Sequence, residues 1–97
     1  MIMYSKSILE NLKLANEVIV YLEHEPITDQ QVWNEAKHRD TFPNFGNILL
    51  QLSYELIRSI LSRVKLNTFT YWVDGEDSIM SINNKEVKSF NDFIERI

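Results

Sequence analysis

The sequence predicts an α+β domain: about three N-terminal helices packed on a small two- or three-stranded antiparallel β-meander, followed by a short C-terminal helix. Three observations carry this reading. Apolar residues recur at helical spacing from Ser5 to Val64. The period changes from 3.6 to 2 after Asn67. An Asp-Gly pair, Asp74–Gly75, then gives a strong hairpin signal.

The first helix begins near Ser5. Ile8, Leu12, Ala15, Ile19 and Leu22 recur at spacings of four and three, and Leu9 and Val18 widen the stripe. Its far end, "EVIVYLE", is rich in β-branched and aromatic residues, which also suits a strand over 18–22. The unbroken helical period favours helix. Pro26 interrupts, and "PITDQQ" reads as a new start. Thr28 is the N-cap, Asp29 sits in the first turn, and Gln31 closes a Thr-x-x-Gln capping box. Val32, Trp33 and Ala36 form the apolar side of this short second helix, which ends near His38 to Asp40.

"TFPNFGN" reads as a loop. Pro43 biases Phe42 away from helical geometry, and Gly46 permits a turn. Phe42 and Phe45 are expected to plug the gap between helices, and Asn44 or Asn47 to cap the next one. That third helix is long: Ile48, Leu49, Leu52, Leu56, Ile57, Ile60, Leu61 and Val64 recur at helical spacing. Beyond it, "TFTYWV" places Phe69, Tyr71 and Val73 on one face of a strand and Thr68, Thr70 and Trp72 on the other. "SIMSIN" pairs with it, with Ile79 as a further apolar anchor. "NNKEV" supplies a second turn and a third short strand. Ser89 caps a last helix whose stripe is Phe90, Phe93, Ile94 and Ile97, with Asp92 three residues after the cap.

The length, 97 residues, fits a single small domain over 1–97. Apolar residues make up 44% and charged residues 25%, and only two Gly and two Pro are present, which argues against a disordered or linker-rich chain. The absence of Cys removes a disulfide framework, a thiolate nucleophile and cysteine-ligated zinc, and fits a cytoplasmic location. "MIMYSKSILE" lacks the apolar core and cleavage site of a signal peptide. The longest apolar run, Val18 to Leu22, is five residues, so no membrane association is expected.

The chemistry-bearing residues cluster in "YWVDGEDS". Asp74, Glu76 and Asp77 offer oxygen ligands, but the twelve-residue alternation of a calcium loop is missing. His24 and His38 fall on different elements, and "EHE" at 23–25 surrounds a helix end. No metal or other cofactor is expected. Catalysis needs a nucleophile with a base in reach. No Gly-x-Ser-x-Gly and no Gly-rich phosphate loop occurs. Carboxylates at a solvated hairpin tip lack the desolvation that a catalytic acid requires. The expectation is a protein without catalytic activity.

The order helix, helix, long helix, hairpin resembles that of a winged-helix module, in which the third helix enters the major groove and the hairpin is the wing. That resemblance implies DNA binding, and the charges oppose it. The exposed side of the third helix offers Asn47, Gln51, Glu55, Arg58, Ser62 and Arg63, with two cations, and three acids sit at the wing tip. Charge is also segregated. Residues 1–35 carry six acids against two lysines (−4). Residues 36–67 carry five bases against two acids (+3), and residues 68–97 six acids against three bases (−3). The net charge of −4 favours a basic partner over a nucleic-acid backbone.

Most of the aromatic residues are expected in the core. Trp72 is the exception, because the alternation points it away from the face of Phe69, beside the acidic tip. An exposed Trp flanked by carboxylates is a docking patch for a basic groove. The expected function is therefore that of a small acidic inhibitor. It would bind a basic protein or ribonucleoprotein complex by local charge mimicry, as phage anti-defence proteins (anti-CRISPR proteins among them) and nuclease-immunity proteins do. The anions expected to carry it are Asp74, Glu76 and Asp77 beside Trp72 on one side, and Glu23, Glu25 and Asp29 on the other. The alternatives are a winged-helix-like regulator whose basic middle touches nucleic acid, and a homodimeric scaffold that pairs through its first helix or its hairpin edge.

Overall fold

Ser5 fixes the start of α1, Lys6–Tyr21: its Oγ accepts a hydrogen bond from the Ile8 amide at 3.2 Å. The computed structural model describes residues 5–37, 45–63, 69–74 and 77–97. In these the chain runs α1, α2 (Asp29–Ala36), α3 (Phe45–Arg63), β1 (Phe69–Asp74), β2 (Asp77–Ile82), β3 (Lys85–Val87) and α4 (Phe90–Arg96). This is an α+β arrangement of four helices and one antiparallel sheet in the order β1-β2-β3.

The disputed stretch 18–22 is helical through Tyr21. Val18 and Ile19 are buried with Ile8, Leu12 and Ala15 in a core that α1 shares with α3. Burial on the helical stripe outweighs the strand propensity of the β-branched residues. Leu9, expected to widen that stripe, is 53% exposed. It follows Ile8 by about 100° around the helix, which turns it off the core-facing side.

The capping box on α2 forms as the sequence indicates. The Gln31 amide donates to Thr28 Oγ1 at 3.2 Å, and the Thr28 amide donates to Gln31 Oε1 at 2.7 Å. Val32 and Ala36 are buried. Trp33 instead lies half exposed on the ring of Phe45, with centroids 4.5 Å apart. The expected end of this helix near His38 to Asp40, together with Phe42, Pro43 and Asn44, lies outside the described residues.

Two expectations about the next segment are corrected. Gly46 and Asn47 belong to α3 rather than to a turn and a cap. Asn47 Oδ1 accepts from Gln51 Nε2 at 2.6 Å, a pairing one helical turn apart. Gly46 is set by packing: a Cβ there would overlap Ile8 Cδ1, so a glycine lets α3 come close to α1. Leu50, Ser53 and Tyr54 are buried beside the predicted apolar positions, and Ser53 Oγ donates to the Leu49 carbonyl at 2.8 Å. Val64 lies outside the described residues.

The strand faces alternate as predicted for β1. Phe69, Tyr71 and Val73 pack toward the core, where Met80, Ile82 and Val87 join them, while Thr70 and Trp72 face outward. Ile79 was expected as an anchor and is 42% exposed. The register pairs it with Trp72, so period-two geometry puts it on the outer face once Met80 and Ile82 are inside. The closing pair of the first hairpin is Asp74 with Asp77, so Asp74 ends β1 and is not a central turn residue. Gly75, expected at the turn, lies outside the described residues. The second hairpin turns through Asn83 and Asn84, whose φ angles of 53° and 66° match a type I′ turn.

Ser89 caps α4, accepting from the Asp92 amide at 3.1 Å, while Asp92 Oδ2 accepts from the Lys88 amide at 3.0 Å. Phe93 is wholly buried and Phe90 partly so. Ile94 and Ile97 were expected in the same buried stripe and are exposed, because a seven-residue helix seats only one turn on the core.

Candidate functional site

The inner face of the sheet is fastened to α3. Tyr54 Oη and Ser78 Oγ share a hydrogen bond of 2.6 Å, one residue from the acidic tip. The Tyr54 and Tyr71 rings lie 5.7 Å apart, and the Arg58 guanidinium sits 5.1 Å above the Tyr71 ring. Burial raises the Tyr54 phenol above its ordinary value of 10.0, opposed by the hydrogen bond with Ser78. Tyr71 is also raised, first by desolvation and then by the Glu55 carboxylate, with Arg58 pulling the other way. Both phenols therefore stay neutral at physiological pH and serve as hydrogen-bonding pegs.

Fastened in this way, the β1–β2 hairpin presents its outer face to solvent. Trp72, 52% exposed, stands directly across from Ile79. Asp74 and Asp77 form the next pair on the same face, both exposed. Thr70 and Ser81 form the pair on the other side. Like charges directly opposite are destabilising, whereas the aromatic and β-branched pair steadies the hairpin while leaving apolar surface in water. Glu86 on β3 has a local partner, Lys88 Nζ at 3.4 Å, whereas no described cation pairs with Asp74 or Asp77. Glu76, the third predicted anion of the tip, lies outside the described residues.

The second predicted group sits beyond the far end of α1 and at the start of α2. Ser78 lines a small cavity with Asn11, and about 15 Å of helix separates Asn11 from Tyr21. Glu23 and Glu25 follow that end, and Asp29 opens α2; all three are exposed. Leu22 is the C-cap of α1, and Glu23 follows with φ 63°, in the left-handed region. The Glu23 amide donates to the Val20 carbonyl at 2.9 Å and the His24 amide to the Ile19 carbonyl at 3.1 Å, which is a Schellman motif. Glycine normally fills this position, and the negative end of the helix dipole disfavours an acid there. Glu23→Gly is expected to raise stability by about 1 kcal/mol by removing the left-handed strain, as read from urea unfolding midpoints at constant slope.

Of the basic middle segment, Arg58 is engaged by Tyr71, and Lys37 and Arg63 are exposed; Arg39 and Lys65 lie outside the described residues. Among the described residues no cluster of three His, Asp or Glu side chains is placed to hold a metal ion, and no helix is long and apolar enough to cross a membrane. His24 is exposed, and His38 is outside the described residues.

Two features escaped the sequence reading. The Tyr54–Ser78 bond joins residues 24 apart and leaves no local pattern. Ile79 did carry a signal: the adjacent Ile79 and Met80 must point to opposite faces, and Ile82 sides with Met80. Against protein-family models, curated proteins and solved structures, the chain finds no match.

Proposed function

We propose that this protein is a non-catalytic binding protein, an inhibitor of the charge-mimic type. Its outer hairpin face docks on a basic surface of a protein or ribonucleoprotein complex, where it takes the place of nucleic-acid phosphates. One observation carries the reading: an exposed Trp72–Ile79 pair adjoins the Asp74–Asp77 pair, on a face whose opposite side is pegged to α3. The apolar pair supplies contact area that a partner would desolvate, and Trp is favoured at binding hot spots. The two carboxylates steer a cationic partner and set its orientation. The retention of a like-charge pair beside uncovered apolar groups is easier to understand on a surface selected for contact than for stability.

Such a protein fits an anti-defence or nuclease-immunity role, which needs a small rigid anionic projection and no chemistry of its own. A winged-helix regulator is less well supported. Its wing tip would bring Asp74 and Asp77 against phosphates, and Glu55 and Arg58 on its reading helix are already occupied with Tyr71.

The double variant Asp74→Lys/Asp77→Lys tests the reading. Both residues are exposed, and the variant exchanges one directly opposed like-charge pair for another, so circular dichroism and the unfolding midpoint should stay near wild type. Wild-type protein should retain a basic partner from host lysate at low salt, identified by mass spectrometry, and compete with that partner's nucleic acid. In calorimetric titration the double variant should bind that partner about tenfold more weakly or worse. Equal affinity of the two proteins would sink the proposal. A gel shift of duplex DNA by the isolated protein at low salt would favour the regulator instead.

A further inference from the structure

A second surface, away from the hairpin, is built for a different contact. α1 and α4 border an open groove of about 630 Å³ lined by Lys13, Asn16, Glu17, Val20, Tyr21 and Phe90. The walls are apolar: Val20 is 60% exposed and Tyr21 50%, and Tyr21 meets Phe90 edge-on at 5.6 Å. Leu9, exposed to a similar degree, emerges on the same solvent side of α1, about three turns before Val20. Single exposed apolar residues are ordinary; several along one helix side next to a groove mark a contact.

The charges in the groove identify the occupant. It holds one cation and one anion, Lys13 and Glu17, a turn apart on α1, and neither forms a salt bridge within the described chain. A strongly basic or acidic partner would satisfy one and repel the other. A second copy of the same helix, laid antiparallel, satisfies both. Lys13 and Glu17 lie two residues on either side of the level of Ala15, about 3 Å along the axis. Leu9 and Tyr21 lie six residues on either side, about 9 Å. A two-fold axis crossing α1 at that level brings Lys13 of each copy to Glu17 of the other. It also sets Leu9 of each copy against the Tyr21 end of the other, where the groove opens. An isologous interface requires this kind of self-complementarity.

We propose that the protein forms a two-fold dimer through the outer side of α1, with Leu9 of each copy seated in the α1–α4 groove of the other. The dimer presents two hairpin faces, and it stands or falls independently of what those faces bind.

Sedimentation equilibrium on the purified full chain, from micromolar to millimolar concentration, tests it. Wild type is expected to pass from the chain mass to twice that mass. Lys13→Glu and Glu17→Lys each place like charges at both contacts and should raise the dissociation constant about tenfold. Mixed in equal amounts, these two variants each meet an opposite charge on the other and should dimerise as wild type does. Leu9→Asp should remain monomeric. All three side chains are exposed, so circular dichroism should show every variant folded. A wild type that stays at the chain mass throughout overturns the proposal. So does a mixture no more associated than its separate components, or a Leu9→Asp variant that dimerises like wild type.

Discussion

Phe93→Ala is expected to destabilise the protein by about 3–5 kcal/mol, the largest effect of any substitution in α4. Phe93 is wholly buried, and its ring packs on the edge of Tyr21 at 6.1 Å and beside Phe90 at 6.4 Å. α4 has seven residues, too few to be helical without tertiary contacts. Its cap, the pairing of Asp92 with Arg96 at 3.5 Å and its apolar face all depend on this one side chain being seated. A small domain has a total stability of about 5–15 kcal/mol, so the loss removes a large share of it. The midpoint of thermal unfolding should fall by more than about 10 °C. Ile94→Ala, on an exposed position of the same helix, should cost under about 1 kcal/mol. If Phe93→Ala and Ile94→Ala shift urea and thermal midpoints alike, α4 is not anchored through Phe93.

The same residues show what the sequence could reveal. Capping is local chemistry, so Thr28 with Gln31 and Ser89 with Asp92 were readable within four residues. The alternation of β1 was readable because Phe69, Tyr71 and Val73 have no apolar rivals between them except Trp72. Where two apolar residues adjoin, composition alone does not say which lies inside: rotation about the helix settles Ile8 over Leu9, and alternation with Ile82 settles Met80 over Ile79. Gly46 was misread for a related reason. Glycine marks a turn or a close approach, and only the position of Ile8, 38 residues earlier, shows which. The candidate site was legible in composition, since Trp72, Asp74 and Asp77 were singled out from "YWVDGEDS". Its apolar half was not, because Ile79 becomes its neighbour only through the strand register.

That neighbour sets the second large expectation: Trp72→Ala should weaken partner binding by about thirtyfold or more, with only a small effect on folding. Half the side chain is already in water, and its main contact across the strands is Ile79, so its removal should cost at most about 1 kcal/mol of stability. In a complex the same ring would be fully covered, and its whole area would count toward affinity. The charges and the ring should also separate kinetically. Asp74→Lys/Asp77→Lys should chiefly slow association and flatten the salt dependence, since exposed carboxylates act at a distance. Trp72→Ala should chiefly speed dissociation, because the ring acts once contact is made. Thr70→Ala, on the same face one pair further from the tip, is the control and should change neither rate appreciably. Surface plasmon resonance on the retained partner distinguishes these outcomes. A Trp72→Ala variant with wild-type dissociation would place the docking surface away from the hairpin. A variant that loses binding together with its unfolding midpoint would show instead that Trp72 holds the sheet together.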